Sequence, residues 1–127
     1  MLDHLFKALT DSPRFVAGDK TLLREVLHPK NEPGQQLPFS IAHATVLPGE
    51  RSENHTLHQS LEIYYLLSGT GTAHVDGIAY PMQRDDLLLI PAGAEQWIEN
   101  TGATELQFLC IVAPPWSADQ EEVEVAE

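Results

Sequence analysis

The chain has 127 residues, 43% hydrophobic and 20% charged, the make-up of one globular domain with room for a single core. No apolar run approaches the ~18 residues that a membrane span needs. With 19 acids against 7 bases, the formal charge of -12 repels phosphate backbones and anionic lipid, so nucleic-acid and membrane partners are excluded and a small molecule is the expected ligand.

The opening MLDHLFKALT lacks both the basic start and the continuous apolar block of a secretory signal, so a cytoplasmic protein is expected. Leu2, Leu5, Phe6 and Leu9 form a weak helical pattern cut off by Asp11-Ser12-Pro13, which predicts a short helix or a loose arm over residues 1–18. The stretch TLLREVLHP fits a strand or a single amphipathic turn ended by Pro29, and NEPGQQLP is a loop by its Pro, Gly and Asn content. Residues 1–38 thus read as an N-terminal arm with edge elements, and no chemistry is expected of them.

From Phe39 the pattern changes to short apolar or alternating runs: FSIAHATVL, LEIYYLL, GTAHV, LLLIP, QWIEN and LQFLCIVA. Pro-Gly, Ser-Gly, Asp-Gly and Thr-Gly pairs separate them, and Asp76-Gly77 is a strong two-residue hairpin signal. Regular short strands with turn signals predict an all-β domain over residues 39–116, a sandwich or barrel such as a double-sheet jelly roll. The lone cysteine, Cys110, lies in an apolar run and reads as a buried thiol. Asp119, Glu121, Glu122, Glu124 and Glu127 crowd the end of the chain, so residues 117–127 read as a solvated acidic tail outside any site.

Two stretches carry the candidate chemistry. The first gives Gly49, five residues, His55, then His58, three residues, Glu62, six residues and Gly69. The second gives Pro91-Ala92-Gly93, two residues, Gln96, three residues and Asn100. These spacings resemble the paired motifs of the cupin superfamily, over about residues 40–115, and imply a small single-domain cupin: a double-stranded β-helix jelly-roll barrel with a short N-terminal arm. The family pattern departs here in three places. Its His-x-His is His55-x-x-His58, its second-motif histidine is Gln96, and its turn glycine before the second motif is Asp85, a residue type that tolerates the left-handed conformation.

The resemblance implies one divalent ion (Fe, Mn, Ni, Co or Zn) held by His55, His58, Glu62 and Gln96, although a neutral amide oxygen is a weak ligand where imidazole binds well. Strand parity leaves three registers open. A regular strand counted back from Glu62 points His58 inward and His55 outward; a bulge just upstream of Glu62 points His55 and Leu57 inward; a bulge between the two histidines points both rings inward. Glu62 is inward in all three. Tyr64, two residues on, shares its face and is a candidate general base or hydrogen-bond partner for substrate, so Glu62 and Tyr64 are the candidate catalytic residues. His43 shares a face with Ile41 and Thr45, which leaves it open as an extra pocket residue, whereas His74 falls opposite Ala73 and Val75 and is expected in solvent.

The expected function is metal-dependent isomerase, lyase or dioxygenase chemistry on a small oxygen-rich metabolite. The alternative is a metal-free barrel that binds or senses a small ligand. Apolar residues of the arm, with Trp97 and Trp116, suit a paired interface, and the resemblance implies a homodimer.

Overall fold

Asp76 and Gly77 have φ of 48° and 81°, the two left-handed residues of a tight hairpin, and they join β6 (Gly71–Val75) to β7 (Ile78–Met82) as their sequence predicts. Asp85, in the place of the family's turn glycine, takes φ 70° and keeps the turn before β8 (Leu87–Ile90). The structure is a computed structural model that describes residues 2–124. Two antiparallel sheets face one another.

One sheet has six strands in the order β1 (Arg14–Val16), β2 (Leu22–Leu27), β3 (Ser40–Val46), β10 (Leu106–Ala113), β5 (Leu61–Ser68) and β8. The other has five: β11 (Glu121–Glu124), β4 (Asn54–Leu57), β9 (Glu95–Asn100), β6 and β7. Alternation sets the faces. In β10 Leu106, Phe108, Cys110 and Val112 are buried while the residues between them are half-exposed, and in β9 Gln96, Ile98 and Asn100 are buried. Phe108, Leu66 and Ile90 from the first sheet meet Ile98, Ala73 and Val75 from the second in one core. Each fully buried Leu, Ile or Phe there contributes about 1.5–3 kcal/mol.

The two ends of the chain differ from their sequence expectations. Only a short 3-10 turn, Leu9–Asp11, forms in the arm, and the following residues enter the sheet as β1. TLLREVLHP is the strand β2, paired with β3. The acidic segment is not a free tail: β11 pairs with β4 in the register Glu121↔Leu57 to Glu124↔Asn54. Three side-chain bonds fix it, from Trp116 Nε1 to Glu121 (3.2 Å), between His58 and Glu122 (2.9 Å), and from Asn54 to Glu124 (3.1 Å). Glu127 lies outside the described residues. No helix among the described residues is long and apolar enough to cross a membrane.

Candidate functional site

β4 ends at Leu57, and residues 58–60 turn the chain from the five-stranded sheet to β5 in the six-stranded one. That corner selects among the three registers. His55 and Leu57 are buried, and His58 stands on the corner with its side chain 53% exposed, paired with Glu122. A leucine therefore occupies the place of the second family histidine. Ser60 pins the corner by donating to the Pro114 carbonyl (2.7 Å) and accepting from Gln120 (2.8 Å).

Between the sheets, beside β4 and β5, lies a cavity of about 370 Å³. Its inner end holds His55, Glu62, Tyr64 and Cys110, and its walls are largely apolar, with Leu57, Ile98 and Phe108. The arm and the C-terminal segment complete it with Phe15, Asp19, Glu25, Lys30, Trp116 and Glu121.

His55 is the hub. Its Nδ1 is 3.1 Å from the Glu53 carbonyl and 3.5 Å from Asp19 Oδ2, and its Nε2 is 3.8 Å from Glu62 Oε1. Burial alone would push the imidazole below its ordinary 6.5, but the Glu62 and Asp19 carboxylates and the Glu53 carbonyl outweigh it and hold the ring up at about 9. The ring is an imidazolium at neutral pH. Glu62 Oε1 is fully buried and has no hydrogen-bond partner among the described residues; His55 Nε2, at 3.8 Å, is at an ion-pair distance and too far for a hydrogen bond. A buried acceptor left unmade is costly, so this oxygen is a ready contact for a bound molecule.

Tyr64 donates its hydroxyl proton to Gln96 Oε1 at 2.5 Å. Burial, with the Glu62 charge next, pushes the phenol well above its ordinary 10, so Tyr64 holds its proton at neutral pH. Gln96 is 1% exposed and directly across from His55 in the β4–β9 pair, but its oxygen is taken by Tyr64. Burial likewise pushes the Cys110 thiol up and keeps it protonated. Burial raises the Glu121 carboxyl against the opposing Trp116 hydrogen bond.

The donor set does not fit the family's four-ligand ion. Leu57 has no donor atom, His58 is outside the barrel, and Gln96 is engaged by Tyr64. Among the described residues no group of three or more His, Cys, Asp or Glu side chains is placed to hold a metal ion. Of the four ligands the resemblance implied, the structure brings His55 and Glu62 together, keeps Gln96 behind Tyr64, and puts His58 elsewhere.

Two further histidines lie away from the cavity. His43 is buried on the opposite face of β3 from Ala44, opposite Arg24 and Leu109 in the register, and burial with the Arg14 and Arg24 charges lowers its pKa. His74 stacks on Trp97 (centroids 3.7 Å apart, planes 4° apart) and pairs with Glu99 at 2.7 Å, so it is packed where solvation was expected. The Arg51 guanidinium covers the same indole at 3.7 Å.

Asp19 and Glu121 are the site residues that sequence reasoning missed. Asp19 had a local signal: its Oδ1 accepts from Thr21 N (3.1 Å) and Thr21 Oγ1 (2.6 Å), the turn that an Asp-x-Thr pattern favours. Nothing local marks Glu121, whose position depends on a strand pairing with a segment 64 residues away.

The Cupin domain family profile matches residues 42–112. The uncharacterized protein MJ1618 of Methanocaldococcus jannaschii is 33% identical over 109 residues, covering 86% of each chain. An oxalate-binding protein of Thermotoga maritima is 37% identical over 65 residues, 51% of this chain and 54% of that one. Among solved structures, Pac13 of Streptomyces, a nucleoside dehydratase, aligns with TM-score 0.76 at 20% identity over 96% of this chain and 92% of its own. A predicted oxalate decarboxylase of Thermotoga maritima aligns with TM-score 0.75 at 22% identity, over 87% and 99% respectively. At these identities the structural likeness speaks for the fold.

Proposed function

This chain belongs to the cupin family, and we propose that it is a small-metabolite enzyme that moves protons on its substrate with Glu62 as base and His55 as acid, without the family's four-ligand metal. The observation that carries the reading is the unpartnered Glu62 Oε1, buried at the inner end of the cavity and 3.8 Å from the protonated His55 Nε2. A proton acceptor and a proton donor face the same space. Glu62 takes a proton from carbon or hydroxyl, and His55 gives one to an oxygen that leaves or becomes an enol, the requirements of eliminating water or shifting a double bond. Asp19 and the Glu53 carbonyl hold the imidazolium in place, and Gln96 holds the Tyr64 ring that forms one wall. Elimination is also the chemistry named by the dehydratase Pac13, whose fold is similar.

The test is turnover of a panel of hydroxylated metabolites in deuterated water with chelator present, followed by NMR and mass spectrometry for deuterium uptake or loss of water. Wild-type protein should process at least one compound, and His55→Gln and Glu62→Gln should not. Activity that vanishes with chelator and returns with a divalent ion would refute the reading.

The outer face of the six-stranded sheet supports pairing with a second copy. Cross-strand rows Ile111–Ile63–Leu89 and Leu109–Tyr65–Leu87 lie there, with Leu87 and Leu89 59% and 56% exposed. We assign this face to the homodimer contact. Leu89→Glu should convert a dimer to a monomer in sedimentation analysis, and an unchanged sedimentation coefficient would refute it.

A further inference from the structure

The cavity presents four carboxylates, Asp19, Glu25, Glu62 and Glu121, against two cations, His55 and Lys30. Both cations are already committed. Lys30 Nζ is 3.2 Å from Glu25 and lies over the Trp116 ring at 5.5 Å. His55 sits between Asp19 at 3.5 Å and Glu62 at 3.8 Å, with Nδ1 turned to the Glu53 carbonyl. An arriving anion would lose its hydration, and the charged donors it meets, His55 Nε2 and Lys30 Nζ, already face carboxylates. The spare group is an acceptor: Glu62 is 7% exposed, and its Oε1, in ion-pair contact with His55 at 3.8 Å, has no hydrogen-bond partner among the described residues.

From this arrangement we infer that the pocket selects non-anionic, hydrogen-bond-donating small molecules, an alcohol or an ammonium on an apolar body, and rejects carboxylates and oxalate. The inference rests on the reading of the same cavity as a ligand site. The donor meets Glu62 Oε1, and the body lies against Leu57, Ile98 and Phe108. An ammonium gains a charge-assisted bond there, and the chain's charge of -12 adds to the penalty on anions. The chain thereby parts from its oxalate-binding relative, which it matches over 51% of its own length.

Benzylamine, benzyl alcohol and benzoate share one ring and differ in charge, so they isolate this property, with oxalate as a fourth probe. Each is titrated into the full chain at neutral pH and followed by backbone amide shifts around His55, Glu62 and Tyr64. Benzylamine and benzyl alcohol should bind saturably, with benzylamine ahead of benzoate by about tenfold or more, a difference of one strong charge interaction. Glu62→Gln should weaken benzylamine by about tenfold and leave benzyl alcohol within about threefold. Asp19→Asn should move benzylamine in the same direction, so the result does not depend on one variant folding. Benzoate or oxalate binding as tightly as benzylamine, a charge order unchanged in both variants, or no saturable binding by any probe would overturn the inference. If the charge order holds while no metabolite turns over, the proton-transfer reading fails and this inference stands.

Discussion

Raising the pH should remove a specific part of this protein's stability through His55. The groups facing the ring are Asp19 before β2, Glu62 and Tyr64 on β5, Cys110 on β10 and Glu121 on β11, with the Glu53 carbonyl on Nδ1. Tyr64 and Cys110 keep their protons, so the facing charge is negative. His55 rises from 6.5 in the unfolded chain to about 9 in the folded one. A raised pKa means that the folded state binds the proton more tightly. The stabilisation is therefore complete below 6.5 and is lost as pH climbs through about 9. At about 1.36 kcal/mol per pH unit the shift is worth on the order of 3 kcal/mol, a large part of a small domain's stability. The assay is urea unfolding across this range, on the wild type and on His55→Gln. Below about 9 the variant is the less stable, because Asp19 and Glu62 lose their counter-charge. The decisive quantity is the gap between the two proteins, which should close by about 3 kcal/mol as pH rises from 6.5 past 9. A gap that stays constant, or a His55 ring titrating below 7 by NMR, would refute the reasoning.

Three other outcomes follow from the geometry. His58→Ala removes an exposed ion pair and should change stability by less than about 0.5 kcal/mol, with probe binding unaltered; a loss of binding would place His58 in the site. Tyr64→Phe strips the donor from the buried Gln96 oxygen and should cost about 1–3 kcal/mol in urea unfolding. A Tyr64→Phe variant as stable as the wild type would show that bond to be dispensable. Leu57→His combined with Gln96→His restores the family's ligand types at inward positions. It should unfold at lower temperature without metal and recover on adding zinc or manganese, with about one ion per chain by plasma mass spectrometry. Failure to take up metal would mean that Leu57 and Gln96 do not stand where the family's ligands stand.

The barrel was legible in the sequence because its signals are local. Alternation of period two in β9 and β10, Asp76-Gly77 at the hairpin, and Asp85 in a left-handed turn each depend on neighbours only a few residues away. Glu62 was legible for the same reason, since every register pointed it inward. The sequence narrowed His55 and His58 to three arrangements and could not choose, because the choice depends on where the chain leaves one sheet for the other. Tertiary structure put that corner at residues 58–60, which buries Leu57 and carries His58 out to Glu122. Only tertiary structure could show that an acidic stretch with every mark of a solvated tail pairs with β4 and brings Glu121 to the cavity, or that Asp19 reaches His55. Burial and charge pairing arise between segments far apart in the chain. They turn a motif that resembles a metal site into a protonated histidine facing an unsatisfied carboxylate.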